Sequence, residues 1–285
     1  MSDGPRIRRA TVEDIPAIRR ILAAHDNDGP VAPEGRDIVG PYVRHFVDHH
    51  RALVTELDGA VLAYGAVCDT GKVRMLADLF VEPERLGQGL GRPLLAELFE
   101  DVPARATFAS SDPRALPLYV RAGMTPLWSG FYVEGAATQI PAGDPTLTAW
   151  DATATELALL EEAWTGATRP VDHEYWSTLP DGDAFIVEDS EGPVAFGYGR
   201  AKQDSATRDV ERLVVRPGAD PIGPILAALA RVARGGRVHA CLFGPNPVLP
   251  VLLEAGFHIV DRDQYLASDP DLVDPARLVF DPGML

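Results

Sequence analysis

The sequence predicts an α/β protein made of two tandem domains of one fold. Two observations support this prediction: a strand, a glycine-rich turn and a helix at residues 78–95, and an internal repeat that covers most of the chain. A length of 285 residues is also enough for about two domains of roughly 150 residues each.

The stretch from Asp78 to Leu95 predicts a phosphate cradle. A short apolar strand is followed by Gly87, Gly89 and Gly91 at alternate positions, and then by the first turns of a helix. Without Cβ atoms the backbone can approach a ligand closely, and the amides at a helix start favour an anion. Pro93 fits the first helical turn, where its missing N–H costs no bond. Simple close packing of the glycines is the alternative.

Strands and helices alternate around this stretch. Thr11 is expected to cap the first helix, and Leu57-Asp58-Gly59 has the composition of a hairpin turn. The predicted strands of the first half are residues 7–10, 52–56, 60–68, 73–81, 104–110 and 124–133. The predicted helices start after Thr11 and span 38–50, 89–100 and 113–121.

Three segments of the first half recur in the second half, in the same order. The pairs, separated by 132, 134 and 133 residues, are Ala63–Val67 with Ala195–Gly199, Val81–Pro83 with Val215–Pro217, and Arg121–Met124 with Glu254–Phe257. A repeat in one register indicates duplication of a whole fold. We therefore predict domains at 1–137 and 145–285, with a linker around 134–145 that is rich in Gly, Pro and Ala.

Composition narrows the class of partner. A net charge of −16 argues against nucleic acid or an anionic membrane, and it is compatible with a cationic substrate or with solubility alone. Cys68 and Cys241 lie far apart in strand-like runs, so we expect reduced, structural cysteines. No apolar run is long enough to cross a bilayer, and the N-terminus does not resemble a signal peptide. A cytoplasmic location is expected.

Two motifs in the first half resemble the GNAT superfamily of acyl-CoA-dependent N-acyltransferases. They are Val81-x-Pro83 followed by the three glycines, and Leu118-Tyr119-x-x-Ala122-Gly123-Met124. The resemblance implies a mixed, twisted sheet flanked by helices and splayed between the strands at 73–81 and 104–110, with acetyl-CoA in the gap. It also implies the cofactor-binding residues, which are Phe80, Val81, Leu86, Gly87, Gln88, Gly89, Leu90, Gly91, Arg92 and Asp112. Leu86 departs from the Arg or Gln that is usual in the family.

Amide formation from a thioester defines the catalytic candidates. Backbone N–H groups of Phe80 and Val81, at a strand irregularity, are expected to hold the carbonyl oxygen. Tyr119 is the candidate acid for the leaving sulfur, with ordinary packing on the sheet as the alternative. Asp78 is the candidate base, with a solvent-facing surface charge as an equal alternative. Glu82 and Glu34 are weaker candidates for the base.

The histidines at 45, 49 and 50 lie on a predicted helix. They could line the substrate cleft or bind metal, but the sequence offers no Cys or carboxylate that completes a recognisable site. We therefore expect exposed helix histidines and no metal.

The second half has lost most of these features. Of the three glycines only Gly223 remains, beside Pro221 and Ile225, and Leu252 stands in place of Tyr119. We expect this copy to support the first domain or to wall its substrate cleft. Pro117 and Pro250 are predicted to kink the late helix of each half.

The resulting hypothesis is an N-acetyltransferase. It would move an acetyl group from acetyl-CoA to a primary amine of a small acceptor, for which a cationic amine is one candidate, by direct attack in a ternary complex. The alternative is a non-catalytic acyl-CoA sensor or assembly module. Two fused copies could imitate a homodimer and leave the chain a monomer, or the chain could form a homodimer.

Overall fold

The computed structural model describes residues 4–25, 39–102, 104–110, 112–202 and 206–285. Its strands are β1 Arg6–Arg9, β2 Arg51–Leu57, β3 Ala60–Asp69, β4 Arg74–Val81, β5 Arg105–Ala109, β6 Thr125–Ala136, β7 Thr148–Asp151, β8 Asp183–Asp189, β9 Gly192–Ala201, β10 Thr207–Val215, β11 Arg237–Phe243, β12 His258–Ala267 and β13 Leu278–Phe280. Its helices are α1 Ile15–Ala23, α2 Val39–His49, α3 Gly91–Leu98, α4 Ala115–Arg121, α5 Ala154–Thr165, α6 Pro170–Ser177, α7 Ile222–Ala233 and α8 Val248–Glu254.

Within the described ranges, thirteen strands form one sheet in the order β1-β2-β3-β4-β5-β12-β6-β11-β13-β10-β9-β8-β7. Two pairs, β4 with β5 and β10 with β11, are parallel, and the remaining pairs are antiparallel. Side chains of α1, α2, α5 and α6 share one core that spans both halves, whereas α3 with α4 and α7 with α8 cover two separate cores. The predicted α/β fold with a mixed sheet is confirmed. No helix in this part of the chain is long and apolar enough to span a membrane.

The two halves exchange their last long strands. β6, from the first half, lies between β11 and β12 of the second half. β12 in turn fills the place beside β5 of the first half, where Tyr265 lies opposite Phe108. Each half therefore completes its sheet with a strand from the other, which the repeat alone did not predict.

The predicted splay between β4 and β5 is confirmed. The two strands pair only from Arg74 to Leu76 and then diverge, which leaves a gap along the rest of β4. In the second half the matching gap between β10 and β11 is filled, because β13 pairs with both strands there. The chain itself thus occupies the second gap.

One local prediction is confirmed and two are corrected. Asp58 and Gly59 both have positive φ, at 49° and 80°, as the predicted hairpin turn requires. The predicted kinks at Pro117 and Pro250 are wrong, because α4 and α8 begin only two residues earlier and a proline in the first turn breaks no helical bond. The linker begins later than predicted, since residues 134–136 still belong to β6.

Candidate active site

The glycine turn after β4 has the backbone that a phosphate cradle requires. Gly87 and Gly89 have φ of 79° and 82°, a region that residues with a Cβ rarely adopt, and a Cβ built on either would meet no atom within 4 Å. Among the described residues no hydrogen bond is made by the amides of Gly87, Gly89 and Leu90, and α3 begins at Gly91. Open space, free amides and a helix start together fit a pyrophosphate group.

The side chains around the turn contribute less. Leu86 is half-buried, Arg92 is exposed, and the exposed Gln88 side chain donates to the carbonyl of Glu84 at 3.2 Å. Asp112 precedes α4, where its carboxylate pairs with Arg114 at 2.7 Å. This bond to Arg114 is the main reason that the pKa of Asp112 lies below its usual value. The cradle therefore depends on backbone amides rather than on charged side chains.

The backbone of β4 presents alternate groups to the gap. The amide of Glu82 donates to Leu62 of β3 at 2.8 Å, so by alternation the Phe80 N–H also points to β3, while Val81 faces the gap. The irregularity expected at Phe80 and Val81 lies instead at Ala77, the bulged residue of β4. The carbonyl of Val81 is bonded by the Nε2 of His25 at 2.7 Å.

Tyr119 projects from α4 and is only 7 % exposed. Its phenol is hydrogen-bonded to the side chain of Thr107, and the Oγ1 of Thr107 donates its own proton to the carbonyl of Leu76 at 3.3 Å. Because Thr107 and Leu76 are the last pair of the parallel ladder, the phenol lies where the gap opens. Burial raises the pKa of Tyr119, and the carboxylate of Asp78 raises it further. A phenol in this position retains its proton at neutral pH.

Asp78 is 9 % exposed, so the solvent-facing alternative is wrong. It follows the bulge in β4, and it acts electrostatically on three phenols, those of Tyr42, Tyr64 and Tyr119. Burial, followed by the charge of Asp78, raises the pKa of Tyr42 and of Tyr64. Sequence reasoning missed both tyrosines, although the hairpin register that sets Tyr64 opposite Phe80 offered a signal for one.

Of the two weaker candidates for the base, one is ion-paired and the other lies outside the described residues. Glu82 forms an ion pair with Arg20 at 3.1 Å, which holds its carboxylate away from a role as a free base. Glu34 lies outside the described residues.

Acidic residues of the second half lie close to these phenols. Asp281 follows β13, and its amide donates to the carbonyl of Glu211 at 2.8 Å. The charge of Asp281 also acts on Tyr42, and a Cβ on Gly283 would lie 2.7 Å from the Tyr42 hydroxyl, so the turn after β13 packs against this tyrosine. Nothing in the sequence motifs pointed to this contribution.

Glu211 and Asp281 form an acidic cluster, and Arg200 is its main cationic partner among the described residues. The guanidinium of Arg200 contacts Glu211 at 2.6 Å and Asp209 at 3.0 Å. Burial raises the pKa of Glu211 to about 8 in spite of Arg200, and burial also raises the pKa of Asp281. Both carboxylates also act on Tyr175. Carboxyl groups with raised pKa values are frequent in functional sites.

The expectation of exposed histidines is wrong for two of the three. His45 and His50 are 6 % and 8 % exposed, and the Nε2 of each lies 2.7 Å from one oxygen of the buried Asp172. The missing carboxylate thus comes from α6, more than 120 residues away, where no local spacing could reveal it. The three ligand atoms lie within 4.8 Å of one another, which is close enough for one metal ion.

A hydrogen-bonded carboxylate accounts for this cluster without a metal. The other oxygen of Asp172 accepts from Arg169 at 2.9 Å and from the thiol of Cys68 at 3.4 Å, so four donors surround one anion. A divalent cation would have to lie beside the buried guanidinium of Arg169, and this repulsion disfavours it. Burial raises the pKa of Cys68 to about 12, as expected for a reduced structural thiol.

The second copy of the glycine turn is closed. A Cβ on Gly223 would lie 3.3 Å from Leu147, so the segment between the halves packs directly over this turn. Together with the gap filled by β13, this arrangement leaves no counterpart of the first cradle.

Comparisons with known proteins agree with this geometry. Residues 18–124 match the model of the acetyltransferase (GNAT) family. No curated protein matches the chain. A solved structure of a putative acetyltransferase from Pyrococcus horikoshii is similar over 100 % of this chain and 97 % of that one, with a TM-score of 0.76 at 15 % identity.

Two further structures have the same fold. A GCN5-related N-acetyltransferase from Kribbella flavida matches with a TM-score of 0.62 at 20 % identity, over 93 % of this chain and 71 % of that one. A tandem GNAT protein from the clavulanic acid biosynthesis pathway matches with a TM-score of 0.61 at 16 % identity, over 94 % of this chain and 99 % of that one. Residues 18–124 are therefore similar to the acetyltransferase (GNAT) family, and the whole chain shares its fold with these solved structures, one of which is a tandem GNAT protein.

Proposed function

We propose that the protein is an N-acetyltransferase that uses acetyl-CoA and a small cationic amine. The proposal rests on one observation above all: the Tyr119 phenol, which projects from α4, lies where the β4–β5 gap opens, and β4 leads into the glycine cradle. Acetyl-CoA, when bound, supplies an activated thioester carbonyl. The amides of Gly87, Gly89 and Leu90 would hold its pyrophosphate.

The chain's own groups then have separate roles. Asp78 accepts a proton from the substrate ammonium, directly or through water, so that a neutral amine can attack in a ternary complex. The Val81 N–H, which faces the gap, donates to the acyl oxygen. Tyr119 gives its proton to the leaving sulfur, and the second proton that the nitrogen loses as the amide forms restores the phenol. No step requires a covalent bond to the protein.

The acceptor class is inferred from charge. Asp78, Glu211 and Asp281 act on a common group of tyrosines, and these three carboxyl groups come from both halves of the chain. A cationic amine would neutralise them and would shift the equilibrium of Glu211 and Asp281 toward the ionised form. We therefore expect turnover to rise from monoamines to di- and triamines.

The test is acetyl-CoA turnover over amines of graded charge, followed by release of free thiol. We expect Asp281→Asn to raise the KM of a triamine by about tenfold, with a smaller effect on a monoamine, since one buried charge contact is lost. Asp58→Asn, in the exposed β2–β3 turn, removes the same net charge and should change neither value. Equal KM values for all amines would contradict the acceptor class while leaving the acetyltransferase intact.

A second candidate is a non-catalytic acyl-CoA sensor. It is favoured by Leu86 at a position where the family usually has Arg or Gln, and by the closed second copy. Tight acetyl-CoA binding without amine-dependent thiol release from the whole panel would support the sensor and exclude the enzyme. Asp78→Asn separates the two readings, because it should lower kcat about a hundredfold and leave acetyl-CoA affinity unchanged.

A further inference from the structure

His25 follows α1 and contacts β4 at the end of the strand that leads into the glycine cradle. α1 ends at Ala23, and the amide of His25 donates to the carbonyl of Leu22 at 2.9 Å, which closes the turn after the helix. This turn brings the half-buried imidazole to β4, where its Nε2 lies 2.7 Å from the carbonyl oxygen of Val81. Because a carbonyl can only accept, the Nε2 carries the proton of this bond.

The carbonyl of Val81 points into the gap between β4 and β5. Across a trans peptide the C=O and the N–H point in opposite directions, and the N–H that follows, that of Glu82, donates to Leu62 of β3 at 2.8 Å. The Val81 carbonyl is therefore directed away from β3, toward the side on which β5 has already diverged. His25 meets this carbonyl where a neighbouring strand would otherwise pair with β4.

The imidazole interacts with both sides of the gap. Its ring packs against the ring of Phe80 on β4, with the centroids 5.4 Å apart. Across the gap, Arg114 is the main cause of the lowered pKa of Asp112, and the charge of His25 is a smaller cause of the same shift. His25 thus lies between β4 and the start of α4, beside the Val81 N–H to which the proposed mechanism assigns the acyl oxygen.

An acyl donor in this gap would compete with His25 for β4. The arm of acetyl-CoA is an extended chain that contains amide groups, and an extended chain of this kind pairs with an open strand edge through main-chain hydrogen bonds. The open edge of β4 offers the Val81 carbonyl for such a bond, and His25 already occupies that carbonyl. The imidazole and the arm therefore require the same face of the same peptide group.

We infer that His25 closes the β4–β5 gap in the free protein and releases the Val81 carbonyl when acetyl-CoA binds. The bond between His25 and Val81 then opposes binding, because it must break before the arm can pair with β4. This inference rests on the proposed use of acetyl-CoA. It adds the residue after α1 to a site that is otherwise built from β4, the glycine turn and α4.

Titration calorimetry of the full chain with acetyl-CoA and with ADP tests the closure, since ADP carries the pyrophosphate but no arm. We expect His25→Ala to bind acetyl-CoA about fivefold more tightly than the parent protein, because one hydrogen bond no longer has to break, and to bind ADP equally. His25→Gln should keep the parent affinity, because its side-chain amide can donate to the same carbonyl. Unchanged or weaker binding of acetyl-CoA by His25→Ala would overturn the inference.

His258→Ala is the matched control, since it removes an exposed histidine at the start of β12. It should bind both compounds as the parent protein does. An equal gain in acetyl-CoA affinity in this control, or a gain for ADP in His25→Ala, would refute the role given to the bond with Val81. A parent protein that binds neither compound would contradict the proposed cofactor itself, and the role of His25 would fall with it.

Nuclear magnetic resonance of isotope-labelled histidines gives a second measurement that does not depend on affinity. The sequence contains seven histidines, and the ring signal that disappears in His25→Ala identifies His25. We expect acetyl-CoA to shift this signal and ADP to leave it in place, because only the arm displaces the imidazole from Val81. A His25 signal that stays unchanged at saturating acetyl-CoA would show that the bond persists, and it would overturn the inference.

Discussion

Asp78 and Arg212 occupy equivalent positions, each directly after the bulged residue of a strand that ends in the same Val-x-Pro sequence. A bulge re-aims the side chain that follows it, and here both side chains are buried on the face shared by the two halves. The duplication therefore preserved the geometry and inverted the charge. The carboxylate of Asp78 can pair with an ammonium ion, whereas the guanidinium of Arg212 is already paired with Glu161.

The phenol of Tyr119 is the first target for mutation. We expect Tyr119→Phe to lower kcat by about 10²–10³, because the leaving sulfur loses its proton donor, while the Kd of acetyl-CoA stays within about twofold. Steady-state turnover and titration calorimetry measure the two values. Tyr198→Phe is the control, since it removes a buried phenol that bonds His173 at 3.0 Å in the second half. Undiminished turnover in Tyr119→Phe would remove this residue from the mechanism.

The glycine turn gives a matched pair of substitutions. Gly89→Glu and Gly59→Glu both place a side chain at a positive φ, 82° and 80°, with no atom within 4 Å of the new Cβ. The strain should cost about 1 kcal/mol in each variant. Only Gly89→Glu brings a carboxylate to the cradle, so we expect acetyl-CoA binding to fall at least a hundredfold there and to persist in Gly59→Glu. Equal affinities would place the cofactor elsewhere.

The strand exchange predicts how fragments behave. Residues 1–137 alone lack β12, which leaves β5 without its antiparallel neighbour. We expect this fragment to be aggregated, or to be a dimer in which β6 of one copy replaces β12 in the other. Size-exclusion chromatography and circular dichroism distinguish these states. A folded monomer of 1–137 would contradict the role given to β12.

Glu161 makes stability sensitive to acid. Burial alone would raise its pKa, but Arg212 and His173 outweigh burial and lower the pKa to about 2. In the unfolded chain the carboxyl of Glu161 has its ordinary pKa of 4.5, so the stabilisation is complete above that pH and is lost as the pH falls toward 2. The loss is on the order of 3 kcal/mol.

Denaturant melts across this pH window measure the effect. Glu161→Gln should be less stable at pH 7 and should show a flatter dependence between pH 4.5 and 2. Glu162→Gln changes the exposed neighbour on the same helix and should follow the parent protein. A steep acid dependence in Glu161→Gln would assign the effect to other carboxylates.

Much of the first half could be predicted from local chemistry. The hairpin turn at Asp58-Gly59 follows from a short-range pattern, the splay between β4 and β5 is what the family resemblance implies, and the structure confirms both. Local patterns act over a few residues, where backbone sterics decide the outcome. The positions of Gly87 and Gly89 at positive φ belong to this class as well.

The features that sequence reasoning missed depend on contacts across the chain. His45 and Asp172 meet over 127 residues, and Asp281 reaches the tyrosines near Asp78 from the far end of the second half. No periodicity within either half encodes these meetings. They depend on the core that the two halves share, against which α2, α6 and β13 pack.

This exchange of strands also explains why the second copy keeps an intact fold although it has no glycine cradle and no counterpart of Tyr119. The first half cannot complete its own sheet, so its fold requires β12 and the core that holds β12 in place. The cofactor turn of the second copy was free to diverge, whereas its last strand was not. A gene fission that separated the copies would deprive each half of a strand that completes its sheet, so both products would need a new partner for that edge.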